Sequence, residues 1–209
     1  MSLTPLSAPR RTGFCRVIRI AQKLVLLLVL VAACGCARQF KVTVNPELYV
    51  NPSHVGSGKS VGVKVVDLRP DKTIGSSARL VNLSKFEIRS DANVAEAIHE
   101  KVRDGLRELQ FRPKSFPEER ARAMKVEILR MKESFSQRMS RIDERMQVVL
   151  RVSCRGLEGK YVRVYKAAKD ESHRVLAGRF PNEKLINLTL SLAMQNIFED
   201  DKLIACLSR

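Results

Sequence analysis

Five apolar side chains occupy every second position of the stretch MQVVLRVSC, where Met146, Val148, Leu150, Val152 and Cys154 share one parity. A period of two sends successive side chains to opposite faces of an extended chain, so this is a strand with one face in a core. The domain is thereby committed to a sheet, and a sheet needs a cover. In DANVAEAIHEKVRDGLRELQF, Val94, Ile98, Val102, Leu106 and Leu109 recur at helical spacing behind Asn93 and Glu96, which are placed as a capping box. A second helix is expected from about Asn182, after Pro181, to Phe198. No residue from Leu185 to Phe198 is charged, in a chain that is 29% charged. Ile186, Leu190, Ala193 and Ile197 make one stripe, and Leu185, Leu188 and Leu192 make a second well round from it. One sheet does not cover both. The second stripe must pack under the first helix and the C-terminal DDKLIACL, or meet a partner or a second copy of the chain.

Further strands are expected from Val61 to Val66, ending at DLRPDK, and at about Met124 to Arg130 and Tyr161 to Lys169. A less regular extended piece runs from Arg79 to Ile88, and RGLEGK joins the strand ending at Cys154 to the one starting at Tyr161. This order gives an α+β fold, with two helices packed on one face of a mainly antiparallel four- to five-stranded sheet.

The N-terminal third of the chain has a different character. Uncharged, mostly apolar sequence runs only from Leu24 to Ala33, whereas a helix crossing hydrocarbon takes roughly 20 residues. Arg10, Arg11, Arg16, Arg19 and Lys23 precede it without an acidic residue, and small residues follow, which is the order of a secretory signal. Beside those small residues stands a cysteine. Val31-Ala32-Ala33-Cys34 resembles a bacterial lipobox, which implies cleavage before Cys34, a diacylglycerol on its sulfur and acylation of its new amino group; several chains suffice for stable anchoring. A second frame ends at Cys36, with Ala rather than a larger aliphatic residue three places before it. Residues 1–33 are thus read as signal peptide, 34–60 as the lipidated N-terminus and a flexible tether, and 61–209 as the periplasmic α+β domain. Gly35, at the position after the acceptor, is not the Asp that in lipoproteins signals inner-membrane retention. The expected location is therefore the outer membrane, facing the periplasm.

Charge bears on partners. Five of the 38 Lys and Arg and none of the 22 Asp and Glu precede Cys34, which leaves the exported part at +11. In the envelope, that surplus meets lipid phosphates, glycolipid or cell-wall polymers, and no nucleic acid is expected. Cys15 leaves with the signal, while Cys154 and Cys206 form a plausible disulfide pair or stay as separate thiols. The Cys34-x-Cys36 pair lacks the further ligands of a structural zinc site, so no metal or cofactor is expected. GSGKS, Gly56 to Ser60, lacks the first glycine of a phosphate-binding loop and precedes a strand, as a linker does. His54, His99 and His173 are scattered without a nucleophile nearby, and Glu96 with His99 gives a single Glu-x-x-His, so no enzyme is expected. Asp67 and Arg69 read as a turn pair.

The lipobox, VTVNPEL, VGVKVVDLRPDKTIGSS, GLRELQF and INLTLSLAMQNIFEDDKL together resemble the YajG-type family of uncharacterised bacterial lipoproteins, across nearly the whole exported chain. The resemblance implies an envelope lipoprotein. Two modes of action follow from the residues: an assembly or scaffold factor working through Leu185, Leu188 and Leu192, or a binding module for anionic glycolipid or wall material working through basic strand faces. For the second, Leu150 and Val152 pointing inward place Arg151 outward, and Val162 and Val164 do the same for Arg163.

Overall fold

Three strands of fifteen or sixteen residues dominate the computed structural model, which describes residues 38–77, 86–116, 122–138, 140–174 and 181–209. In chain order the elements are β1 (Arg38–Val42), β2 (Ser60–Asp67), β3 (Gly75–Ser77), β4 (Phe86–Ser90), α1 (Val94–Glu108), β5 (Arg112–Ser115), β6 (Ala123–Arg138), β7 (Arg141–Arg155), β8 (Lys160–Arg174), α2 (Glu183–Phe198) and α3 (Asp201–Ser208). They form one sheet. β6, β7 and β8 make an antiparallel meander and β3 pairs antiparallel with β4, while β1 with β4, β2 with β5, β2 with β6 and β3 with β6 run parallel.

This overturns the expected fold class. Among the described residues there are eight strands rather than four or five, three helices rather than two, and four of seven ladders are parallel, so the sheet is mixed. The strands missed outright, β3 and β5, are three and four residues long, too short for alternation to register, whereas the alternation of Phe40, Val42 and Val44 before Pro46 does allow a short edge strand, and β1 is one. α1 lies between β2 and the strands that flank it, and a helical crossover of this kind brings β5 and β6 back parallel to β2.

The long strands exceed their expected lengths for a second reason. Ladder register shifts between Ile128 and Arg130, where Leu129 is an extra residue. Met124, Val126 and Ile128 face inward before this bulge and Met131 and Glu133 after it, so the inward parity changes from even to odd. Beyond it, glutamates take inward positions: Glu133 on β6 and Glu144 on β7 are buried.

The folded unit begins at Arg38, not at Val61. The stretch expected to be a flexible tether contributes β1 and then an extended segment that buries Val44 and runs along α2. Its backbone amides at Thr43, Asn45 and Glu47 donate to Glu183, Asn187 and Ser191 respectively. GSGKS is a packed turn rather than a linker. The amides of Gly56, Ser57, Gly58 and Lys59 donate to carbonyls of Leu109, His54, Gln110 and Gly56, so these four are committed within the fold. The signal peptide, Cys34 and Cys36 lie outside the described residues, as does most of the extended piece from Arg79.

The helices form where local chemistry favours them. Asn93 caps α1 by accepting from Ala95, Asn182 caps α2 by accepting from Leu185, and Asp200 caps α3 by accepting from Lys202 and Leu203. α1 buries Val94, Ile98, Val102 and Leu106, and α2 buries Ile186, Leu190, Ala193 and Ile197, all in one continuous core with the inward faces of β2, β6 and β7.

Candidate functional site

Arg163 faces the opposite way from the sequence expectation. Cys154 pairs with Tyr161, Val152 with Arg163 and Leu150 with Tyr165, so Tyr161, Arg163 and Tyr165 share the inner face under α2 and α3. Val162 and Val164 lie on the outer face, 60% and 43% exposed. A one-residue slip exchanges the faces of a whole strand, and two tyrosines supply the inward apolar surface expected of the valines. The hydroxyls of Tyr161 and Tyr165 and the guanidinium of Arg163 all donate to Asp200 at the junction of α2 and α3, at 3.0, 2.6 and 2.9 Å. Burial alone raises the Asp200 pKa. The hydrogen bonds from Tyr165, Arg163 and Tyr161 outweigh it and bring the carboxyl down to about 2.

Arg151 does face outward, yet it too is paired. It meets Glu127 on β6, which also holds Lys125 at 2.7 Å, and the Arg151 contact is the chief cause holding Glu127 below the ordinary carboxylate range. Both arginines chosen from the sequence are therefore committed to carboxylates. Next to the Asp200 cluster, Cys154 and Cys206 are joined by a disulfide, which ties α3 to β7. A Cβ at Gly156 would come within 2.0 Å of the Cys206 carbonyl oxygen, so the turn after β7 needs glycine where α3 passes over it.

The uncharged helix is largely accounted for inside the fold. Leu185 is buried, while Leu188 and Leu192 remain 43% and 36% exposed. The second stripe is flanked by the segment from Thr43 to Glu47, through its hydrogen bonds to Glu183, Asn187 and Ser191, rather than by α1. What is left outside is a two-leucine ridge.

A better-formed recess lies on the bare outer face. It is a groove of about 340 Å³ lined by Lys64, Phe116, Ala123, Lys125, Ser153, Cys154, Arg155, Lys160 and Val162. Lys64 sits over the Phe116 ring at 5.7 Å, and among the described residues neither Lys64 nor Lys160 has a carboxylate partner. Apolar walls with basic groups at the rim suit an anionic amphiphile or polymer. The period-two pattern of β2 places Lys64 outward, but nothing in the sequence shows that β2 and β6 are neighbours, so the grouping is not legible there.

A second polar group sits on the inner face toward the other end of the meander. Among the described residues, neither carboxylate oxygen of Glu133 has a hydrogen-bond partner, and one oxygen of Glu144 has none. Burial first, then the nearby Glu144 charge, raises Glu133 to about 8. Burial also raises Glu144, against the hydrogen bond it receives from Asn182 and the proximity of His173. Asp67 takes Arg69 as a bidentate pair, at 2.9 and 2.8 Å, in the expected turn. Among the described residues no three His, Cys, Asp or Glu side chains converge as a metal site, and no helix is long and apolar enough to cross a membrane.

A family model described as an uncharacterized lipoprotein matches residues 46–208. Curated proteins give no match. Among solved structures, a Xanthomonas campestris protein is similar at 8% identity, with TM-score 0.48, over 81% of this chain and 95% of that one. A putative neuraminyllactose-binding hemagglutinin homolog from Helicobacter pylori follows at 8% identity, TM-score 0.39, covering 81% and 97%. A minor lipoprotein from Acinetobacter baumannii aligns at 10% identity, TM-score 0.31, over 72% and 90%. With the family model spanning most of its length, the chain belongs to the uncharacterized lipoprotein family, the YajG-type lipoproteins read from its motifs.

Proposed function

We propose that this is a non-enzymatic lipoprotein of the outer membrane, acylated at Cys34 with Cys36 as the second choice, whose domain faces the periplasm and binds anionic glycolipid or cell-wall material. Membership of a lipoprotein family, the Val31-Ala32-Ala33-Cys34 box and Gly35 support the anchor and its address. The observation that carries the binding reading is the outer-face groove, where, among the described residues, Lys64 and Lys160 stand without carboxylate partners around Phe116 and Val162. The residues of that reading shift accordingly. Arg151 and Arg163 stabilise the fold through Glu127 and Asp200, and Lys64 and Lys160 face the ligand.

The test uses the mature chain and its Lys64→Glu/Lys160→Glu variant against phosphate-bearing glycolipid micelles, read by co-sedimentation. Reversing two rim charges is expected to weaken binding roughly tenfold or more. Unchanged binding rejects the groove.

An assembly or scaffold role, with an envelope protein or a second copy as partner, is the other reading. The exposure of Leu188 and Leu192 favours it. Envelope crosslinking distinguishes the two, because a protein adduct lost in Leu188→Gln/Leu192→Gln supports the scaffold and leaves the groove idle.

A further inference from the structure

Three arginines lie side by side where the meander ends. Arg138 on β6 pairs in register with Arg141 on β7, and Arg141 pairs with Arg174 on β8. Partners in register share a face, here the outer one, and all three side chains are exposed. Asp143 approaches Arg138 at 3.7 Å, and the neighbouring Arg145 takes Asp170 at 3.6 Å. Among the described residues, Arg141 and Arg174 have no acidic partner. Like charges directly opposite across a ladder are destabilising, so this arrangement lowers stability unless an anion outside the fold neutralises it.

The position of β1 says which anion. Gly75 pairs with Glu133, Ser77 with Phe86, and Phe86 with Arg38. Followed across those ladders, Arg38 stands level with Phe135, and β1 runs away from the β6–β7 turn. β1 therefore begins at the arginine end of the sheet. Arg138 lies three residues beyond that level, about 10 Å at strand rise. Cys34 is four residues before Arg38, a reach of at most about 14 Å. A flexible tether up to residue 60 would let the domain take any orientation; four residues do not.

We propose that the tip formed by Arg138, Arg141 and Arg174 docks on the anionic headgroup phosphates of the bilayer that holds the acylated cysteine, fixing the domain upright on the membrane. This rests on acylation at Cys34, or at Cys36, which shortens the reach further. The occupant is a lipid surface because the anchor brings that surface to the same level as the tip, and because guanidinium groups pair with phosphate oxygens in a bidentate manner. The groove at Lys64 and Lys160 then stands at the far end of strands of fifteen or sixteen residues, about 50 Å from the membrane, in reach of wall polymer or glycolipid away from that bilayer.

The test reconstitutes the full acylated chain into phosphatidylglycerol vesicles and into phosphatidylcholine vesicles, and follows hydrogen exchange of residues 136–143 by mass spectrometry. Each basic residue near an anionic surface is worth roughly fivefold in local binding, so exchange at the tip should slow about tenfold or more on the anionic vesicles only. The Arg138→Gln/Arg141→Gln/Arg174→Gln variant should lose that protection while melting no lower in solution than its parent. Equal exchange on both vesicle types overturns the docking. Equal protection from inorganic phosphate on phosphatidylcholine vesicles removes the bilayer as the ligand and overturns it as well. A variant that melts lower in solution shows that the arginines serve the fold, and the docking falls with it. Peptide mapping of the same preparation separates the two readings: unmodified Cys34 and Cys36 overturn the anchor and the docking together, whereas an acylated N-terminus with an unprotected tip overturns the docking alone.

Discussion

At one end of the meander Cys154 is bonded to Cys206, and Asp200 collects Tyr161, Arg163 and Tyr165; at the other, Glu133 has no donor for either oxygen among the described residues, and three arginines stand in register. Both ends use charged residues on the same three strands. At the first, the Asp200 carboxylate and the groups gathered on it are matched at a helix cap and a neighbouring strand, so desolvation on this inner face is compensated within the fold. At the second it is not. Polar groups left uncompensated persist where the surroundings enforce them, and such places are where binding and switching are found. The contrast makes the inner face of the disulfide end the stable part and leaves contact to the arginine tip and to the groove on the outer face.

Removing the staple should produce the largest effect. The disulfide closes a loop of 52 residues, which in the chain-entropy account is worth about 4 kcal/mol. Cys154→Ala/Cys206→Ala should lower the free energy of unfolding in urea by roughly 2–4 kcal/mol. A loss under about 0.5 kcal/mol would show that the two ends do not differ in stability.

Asp200→Ala comes next, at about 2–3 kcal/mol, because two tyrosine hydroxyls and a guanidinium lose their acceptor and α3 loses its cap. The sign of its pH dependence is fixed. The folded carboxyl titrates near 2, below its ordinary value of 3.8, so its contribution is present above that ordinary value and is lost as pH falls toward 2. Asp200→Asn should therefore flatten the acid limb of a stability profile measured between about pH 2 and 5. An unchanged acid limb would mean that Asp200 is not the anchor of this end.

Glu133 behaves in the opposite sense. Its folded pKa of about 8 exceeds the ordinary 4.5, so the folded protein holds a proton that the unfolded chain releases. Its contribution is full below about 4.5 and is lost as pH rises toward 8. Glu133→Gln should remove much of the decline in melting temperature between about pH 5 and pH 9, a relative gain of roughly 1–2 kcal/mol at the alkaline end. Part of the decline will remain, since Glu144 is raised by the same burial. A variant whose profile tracks its parent would place the tip's cost elsewhere.

The same contrast decides what is legible in the sequence. The stapled end carries clean apolar alternation, and Met146, Val148, Leu150 and Val152 all lie on the inner face that their parity predicts. Both helices with helical periodicity appear, with Asn93 and Asn182 as their caps. The arginine end is invisible because Glu133 and Glu144 occupy inward positions, and the bulge at Leu129 reverses parity just before them. A period search reads both as the end of a strand. Arg163 escapes the pattern for a related reason: amphipathic tyrosines turn inward to reach Asp200, a partner 37 residues from Arg163 in sequence. The groove requires β2 beside β6, a parallel neighbour set by the crossover through α1 and by no local pattern. The alternation of Phe40, Val42 and Val44 marks a short edge strand at β1, but its pairing with β4, which shortens the tether, is set by no local pattern.

The smallest effect concerns the leucine ridge, which belongs to neither end. Leu188 and Leu192 are at least a third exposed on α2, while Leu185, on the same stripe, is buried. Exposed helix positions tolerate polar substitution, so Leu188→Gln/Leu192→Gln should change the unfolding free energy by no more than about 0.5 kcal/mol. Leu185→Gln should differ sharply, by roughly 2 kcal/mol or more, because it places an amide in the core without a partner. The pair of variants splits the stripe that the sequence presents as uniform. If all three leucines respond alike, the ridge is core, and the scaffold reading loses the surface it needs; if the double variant is stable but no longer crosslinks to an envelope protein, the ridge is a contact and α2 serves two faces.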